Sequence, residues 1–435
     1  MHYTKTSQAI KLALIYLAVV ISITAQAQKK VTYSEHIEPL LLKNCAPCHR
    51  PGTAAPFSLL TFDDAVKHGS MIKYVTGKRY MPPWKADPAY RSFANEKMLT
   101  DEEIVLIANW VDGGMFKGKS TKKSKVSLSN ANTRTADALL AAQPISIKGD
   151  NKENFTLAII PFEFNQEMNV ESVEYLSSTM KIIHHANFGI YAVPDPAIDI
   201  HALKDPIDAN FVGAKANQLA LLSQHIVYYN GWVPGSTPIT FPKGLGFKMP
   251  RRGVIILTNH YAPSPVDVTE ISSLKFFFSK SEITRTVQTL SIGSGGVGEI
   301  QPSLMLMPEE INDFKIQMEI VEPLSLMYVW PHMHLLGKSY TAYYALQGDT
   351  IPLVRINNWD FNWQEAYKFK KLQILPKGAV LTIEGRYDNT SKNPRNPNIP
   401  PKIVFSDGLM GTKNEMLSLI LVYLPYKEGD ENTGL

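Results

Sequence analysis

Apolar residues recur at helical spacing near the start of this chain, stop at Gly113-Gly114, and do not resume that spacing afterwards. Ahead of the stop, Ile37, Leu40 and Leu41 share one helix face and Ile104, Ile107, Ala108 and Val111 another. Thr32 with Glu35, Thr61 with Asp64 and Thr100 with Glu103 read as three helix openings, each a side-chain acceptor placed three residues before an acidic partner. Beyond Ala141 only short strands bounded by turn signals remain, among them Val254-Ile255-Ile256-Leu257 and Leu417-Ser418-Leu419-Ile420-Leu421-Val422-Tyr423. The Pro-rich stretch from Asn393 to Pro401 separates strands. A chain of 435 residues so divided is expected to be multidomain, a small all-α domain followed by two tandem all-β sandwiches of jelly-roll-like form.

Between the two regimes, from Lys117 to about Ala141, five lysines sit among serines and threonines, which reads as a solvated tether with docking to an acidic partner as the alternative. At the N-terminus, Lys5 and Lys11 precede an apolar run from Leu12 to Thr24 and the small-residue site Ala25-Gln26-Ala27, the pattern of a cleaved export signal. The run is short for a bilayer span, and no later stretch is long and apolar enough, so the expected location is periplasmic or secreted with no membrane span after cleavage. With 44 Lys+Arg against 40 Asp+Glu the charge is mild and spread widely, which speaks against nucleic acid as a partner.

Both cysteines of the chain fall in Cys45-Ala46-Pro47-Cys48-His49. Cys-x-x-Cys-His is the attachment motif of c-type haem: the two thiols add to the vinyl groups and the histidine becomes the proximal iron ligand. A thioredoxin-like redox pair is the alternative. The distal ligand is expected downstream, and Met81 in Tyr80-Met81-Pro82-Pro83-Trp84 is the choice because prolines hold an extended loop; Met71 and Met98 are rivals that read as core. The segment with Cys-Ala-Pro-Cys-His-Arg-Pro-Gly, Met-Pro-Pro-Trp-Lys-Ala-Asp-Pro and the helix start at Leu99-Thr100 resembles a class of bacterial cytochrome c domains, and that resemblance implies methionine ligation.

The second group of candidate ligands lies among the strands. Pro331-His332-Met333-His334 follows the apolar run Leu324 to Trp330, and strand alternation turns His332 and His334 to one side with Met333 away. The pair His184-His185, the single His260 before Tyr261, and Met416 complete the set. Imidazole and thioether donors without cysteine favour copper over zinc. A weak repeat runs through this half: His184-His185, Pro242-Lys243-Gly244 and His260-Tyr261 have the same order as His332/His334, Pro376-Lys377-Gly378 and Arg386-Tyr387.

In this order and context the residues from about 145 to 426 resemble the copper type II, ascorbate-dependent monooxygenases, the family of peptidylglycine α-hydroxylating and dopamine β-monooxygenases. The resemblance implies one copper on His184, His185 and His260, which relays electrons, and a catalytic copper on His332, His334 and Met416, where O₂ attacks a substrate C–H bond. Haem would then replace or assist ascorbate as the reductant. The division so expected is a leader over 1–27, a haem domain over 28–117, a tether over 118–141, and copper-binding sandwiches over 142–283 and 284–435.

Departures narrow the substrate. Peptide-amidating members grip a carboxylate with an arginine, an asparagine and a tyrosine at places that here hold Trp330, Ser418 and Ile420, so a peptide C-terminus is not the expected substrate. No cysteine is left for the disulfides of the animal enzymes. Trp359-Asp360-Phe361-Asn362-Trp363-Gln364 reads as core rather than cleft lining, and His36, His68, His201 and His225 are assigned to no metal. The expected function is hydroxylation of a small apolar or neutral molecule with O₂, with an electron donor as further partner; the alternative is a non-catalytic haem and copper protein of electron transfer or copper binding.

Overall fold

The computed structural model describes residues 30–119, 134–202, 207–208, 225–406 and 414–435, so the leader and residues 120–133 of the tether lie outside it. The described chain divides into two compact units: 30–46, 59–81 and 99–119 form the first, while 47–58, 82–98 and everything from Arg134 onward form the second. The first unit is therefore not the contiguous 28–117 expected from the sequence. Nor does the tether reach Ala141, because Ala138–Ala141 is already a paired strand. Among the described residues no helix is long and apolar enough to cross a membrane.

Every regular element of the first unit is helical. A π-helical turn, Tyr33–Ile37, leads into α1 (Glu38–Asn44), followed by α2 (Phe62–Lys67), α3 (Gly69–Gly77) and α4 (Asp101–Asp112). The Thr61/Asp64 and Thr100/Glu103 boxes are both closed, each threonine accepting from the N–H three residues on and each carboxylate from the cap N–H. The Thr32/Glu35 box does not form, because the Thr32 N–H donates instead to His36 Nδ1 at 3.2 Å. Tyr33, Ile37, Leu41, Ile72, Ile107 and Trp110 are buried, with Tyr33 edge-on to Phe62 at 5.2 Å. Met71, expected in the core, is exposed.

The second unit holds two sandwiches of eight main strands each. The first comprises β1 (Ala138–Ala141), β2 (Asn154–Glu163), β3 (Met168–Ser177), β4 (Ile183–Ala192), β5 (Ile226–Trp232), β6 (Leu245–Met249), β7 (Arg252–Tyr261) and β8 (Ser272–Phe278). Its sheets run β1-β8-β3-β6 and β2-β7-β4-β5, all pairs antiparallel. The second comprises β9 (Gln288–Gly293), β10 (Ile311–Glu319), β11 (Leu324–His332), β12 (Gly337–Leu346), β13 (Asp349–Ile356), β14 (Tyr367–Leu375), β15 (Val380–Asp388) and β16 (Ser418–Pro425). Its sheets run β9-β16-β11-β14 and β10-β15-β12-β13, the same order shifted by eight strands and the order that two Greek keys produce. The internal repeat is thus topological: the histidines fall at the β3–β4 and β11–β12 corners, and His260-Tyr261 and Arg386-Tyr387 at the ends of β7 and β15. The two Pro-Lys-Gly turns are not equivalent, since one precedes β6 and the other β15.

Each core lies between its own sheets. In the first, Ile160, Phe162, Phe188, Ile190, Ile255 and Leu257 face Val170, Val173, Leu274 and Phe276. In the second, Phe314, Ile316, Tyr340, Leu381 and Ile383 face Ile292, Leu326, Val329, Leu419 and Leu421. The sheet containing β11 is buried on its other face too, where Met327, Tyr328, Val422 and Leu424 join the first sandwich's cluster. That double burial is why β11 and β16 read as nearly unbroken apolar runs.

Pro82–Met98 crosses the second sandwich as an irregular strap. Phe93 is 2% exposed, with ring centroids 5.1 Å from Tyr367 and 5.8 Å from Phe369. Asp87 accepts from Arg355 Nε and Nη2 at 3.0 and 2.8 Å and from Asn357 at 2.9 Å, while Arg91 donates to Gln373 Oε1 at 2.6 Å. Emptying the Phe93 site should behave as a core truncation: Phe93→Ala is expected to cost about 3–5 kcal/mol, read as a lower urea midpoint at unchanged slope. An unchanged midpoint would mean that the strap is no part of this core.

Candidate metal centre

Successive residues of a strand face opposite ways, so His184 and His185 should not share a partner. They do, because the pairing of β4 with β7 slips by one residue: His260 lies opposite His185 while Tyr261 lies opposite Ile183, leaving His184 as an extra, bulged residue. Ring centroids of His184 and His185 are each 5.0 Å from that of His260. The bulge gathers three imidazoles on the outer face of the β2-β7-β4-β5 sheet.

Glu153, at the entry to β2, was missed by sequence reasoning because no histidine lies near it in the chain. Glu153, His184 and His260 each bring a ligand atom within 4.8 Å of the others. His260 Nε2 lies 3.3 Å from Glu153 Oε2, and that hydrogen bond holds the Glu153 carboxyl below its usual range. With Nε2 so engaged, Nδ1 is the nitrogen His260 has left to offer, as in a carboxylate–imidazole–metal arrangement. The Nδ1 atoms of His184, His185 and His260 are all buried with no hydrogen-bond partner among the described residues. Burial, then the neighbouring His260, lowers the pKa of His184 and lowers that of His185 further, which keeps both rings neutral with a lone pair to offer. Three orphaned nitrogens fit a cation that takes imidazole donors.

The second cluster continues a row that starts in β11. Tyr328, Trp330, His332 and His334 face the first sandwich while Val329 and Met333 enter the second core. His334 lies just past the strand end, and its ring centroid is 5.1 Å from that of His332. His332 Nδ1 donates to Gln364 Oε1, and His334 Nδ1 donates to the Asn414 carbonyl at 2.7 Å, so both lone pairs sit on Nε2. Burial lowers His332 to about 4 and, with His332 beside it, His334 to about 3. Met416 is 8% exposed before β16, its carbonyl accepting from Tyr387 Oη at 2.7 Å. Beside it, buried Glu415 accepts from the N–H groups of His334, Leu336 and Met416 at 2.9, 2.7 and 3.3 Å, fixing the loop that carries His334. Burial pushes that carboxyl up to about 8 while the three N–H groups pull it down.

Two further neighbours complete the picture. Phe361 and Gln364, expected in the core, are both buried, and they lie against the sheet face of the first sandwich: the Phe361 ring is 5.2, 5.3 and 5.6 Å from those of His185, His260 and His334. Gln364 lies between the clusters, its Oε1 on His332 and its Nε2 3.5 Å from His185 Nε2. Trp330 packs on Tyr229 at 5.5 Å and donates Nε1–H to the Gln364 carbonyl; a Cβ on Gly231 would fall 2.2 Å from its ring. Ser418 and Ile420 are likewise buried.

In the Cys45–His49 segment, His49 Nδ1 bonds the Phe57 carbonyl at 3.1 Å, which directs its lone pair to Nε2. Burial pushes the Cys48 thiol up, the opposite of what a redox thiolate needs. Cys45 caps α1, neither cysteine is in a disulfide, and Met81 is 40% exposed in the helical unit. His201 and His225 are exposed turn residues, His225 lying just ahead of β5.

No family model and no curated protein matches the chain. Among solved structures, three similar ones are PNGF-II (TM-score 0.27, 9% identity, 66% of this chain and 65% of that chain), an allantoicase (0.16, 9%, 57% and 82%) and particles derived from infectious bursal virus (0.15, 10%, 70% and 77%). The chain thus spans just under two thirds of the PNGF-II chain, and at these scores none of the three carries an argument about fold or function.

Removing the Glu415 carboxyl leaves three buried N–H groups without an acceptor. Glu415→Ala is expected to lower stability by about 2–5 kcal/mol and to shift the fluorescence of Trp359, whose Nε1–H donates to the His334 carbonyl at 3.1 Å. A thermal midpoint within a degree of the unaltered protein would show that the loop is held otherwise.

Proposed function

We propose that the chain is an exported haem- and copper-dependent monooxygenase that hydroxylates a C–H bond of a small apolar or neutral molecule with O₂, and that its helical unit is a c-type cytochrome. The observation that carries this reading is the complementary availability of ring nitrogens: three buried Nδ1 atoms without a partner in one cluster, and in the other two Nδ1 atoms engaged so that the lone pairs are left on Nε2 of rings 5.1 Å apart. Copper would supply O₂ activation at His332, His334 and Met416 and one-electron storage at His184, His185 and His260, with haem on Cys45, Cys48 and His49 as the electron entry. The residues themselves orient donors: Glu153 holds His260, Asn414 and Gln364 hold the second pair, and Glu415 sets their loop. The raised Cys48 thiol and the carbonyl-bound His49 Nδ1 favour haem attachment over thioredoxin-like chemistry. For the distal ligand Met81 stays the candidate by its place in the chain. Ascorbate or a partner cytochrome would serve as reductant.

A second reading has a specific observation behind it. Phe361 and Gln364 occupy the space between the clusters, where a monooxygenase of this kind would admit substrate, which suits a copper and electron-transfer protein without turnover.

Metal analysis of matured protein tests the first requirement: one covalent haem and two coppers per chain are expected, and full zinc occupancy or a single copper would overturn the two-site reading. Met416→Ile, close in volume and polarity, should keep the fold, lose the second copper and abolish O₂-dependent hydroxylation. Two retained coppers with no hydroxylation of any neutral small substrate would favour the electron-transfer reading.

A further inference from the structure

We propose that Gln364 is a positioning residue that couples the two histidine clusters and prepares them unequally for metal; this rests on the reading that both clusters take copper. Gln364 is 2% exposed, on the loop between β13 and β14. A third contact fixes which way its amide points: Nε2 donates to the Phe361 carbonyl at 2.9 Å, so Oε1 is the end that meets His332. An amide oxygen accepts, so His332 Nδ1 carries the hydrogen and Nε2 keeps the lone pair that the second cluster needs. Toward the first cluster the same side chain shows its other end, Nε2, 3.5 Å from His185 Nε2. An amide N–H donates, so it favours the form of His185 with hydrogen on Nδ1, the nitrogen that the first cluster needs bare.

One glutamine cannot present an oxygen to both rings. When a metal binds His185 Nδ1, the ring hydrogen moves to Nε2 and meets the amide N–H₂ where an acceptor is wanted. The second cluster is therefore ready as folded, and the first loads against this contact. The buried amide is held by its own bonds to His332 and the Phe361 carbonyl, and the loop that carries it is clamped at both ends by the strap: Lys85 Nζ is 2.9 Å from Asp360 and Lys97 Nζ 2.5 Å from Glu365, while Trp330 Nε1 holds the Gln364 carbonyl at 3.0 Å.

The test is an anaerobic titration of the full haem-bearing chain, stripped of copper, with Cu(I) against a chromophoric chelator. The unaltered protein should bind two equivalents with affinities separated by about tenfold or more, the tighter one lost in His332→Ala and the weaker in His185→Ala. Gln364→Glu has nearly the same shape and offers an oxygen to each ring, at the loss of the bond to the Phe361 carbonyl; it should tighten the weaker equivalent by about tenfold and leave the tighter within about threefold, with near-ultraviolet dichroism unchanged. Gln364→Leu should weaken the tighter equivalent by about tenfold, and if its near-ultraviolet dichroism shows misfolding the Glu variant decides alone. Equal affinities in the unaltered protein, or a Glu variant within about twofold of it at both sites, overturn the proposal while the copper reading stands. Absence of copper, or copper indifferent to both histidine substitutions, overturns the reading and the proposal together.

Discussion

Burial of one sheet on both faces is the constraint on which the second unit depends. The β9-β16-β11-β14 sheet supplies one wall of its own sandwich through Leu326, Val329, Leu419 and Leu421 and lends Met327, Tyr328, Val422 and Leu424 to the core of the other. Apolar area is removed from water on both sides of the same backbone, at about 25 cal/mol per Å². The two sandwiches are thereby fixed against each other. The polar ends of the shared strands, where His332 and Ser418 pair, are carried to the same rim as the His184–His260 cluster. A looser joint between the sandwiches would not hold Gln364 against rings from both.

Strand alternation made part of this site readable from the sequence. His332 and His334 share a side and Met333 goes into the core because Tyr328 begins a regular row, and nothing later in β11 breaks it. His184 and His185 were readable as ligands by type but not by geometry, since adjacent strand residues diverge unless a bulge intervenes, and a bulge is set by the partner strand. Glu153 and Glu415 carried no local signal, and the stretch with Phe361 and Gln364 read as core without showing which rings it would meet: each of the four acts on a histidine distant in sequence. The Thr61 and Thr100 caps were readable because the competition there is local, and Thr32 failed for an equally local reason, an imidazole four residues on.

The strap shows where composition misleads. Met81-Pro82-Pro83-Trp84 looks like the loop of a small helical domain, yet from Pro82 onward the chain belongs to the sandwich unit, with Phe93 in its core and Asp87 on Arg355. The same holds for Pro47–Ser58, which carries Cys48 and His49. Periodicity and capping signals located three of the four helices, left Gly69–Gly77 unread, and said nothing about the irregular segments between them, which have no period to read.

That interleaving changes what the N-terminal third can be. The chain leaves the helical unit after Ala46, returns at Leu59, and leaves again after Met81 to return at Leu99. The clamps on the loop between the histidine clusters, Lys85 and Lys97, come from the second of these excursions, and the haem-motif residues Cys48 and His49 come from the first. Sequence order thus ties the segment proposed to hold haem and the segment that steadies Gln364 to the same folding unit as both clusters. Any event that loosened the strap would release Asp360 and Glu365 together, and with them the one side chain that touches a histidine of each cluster.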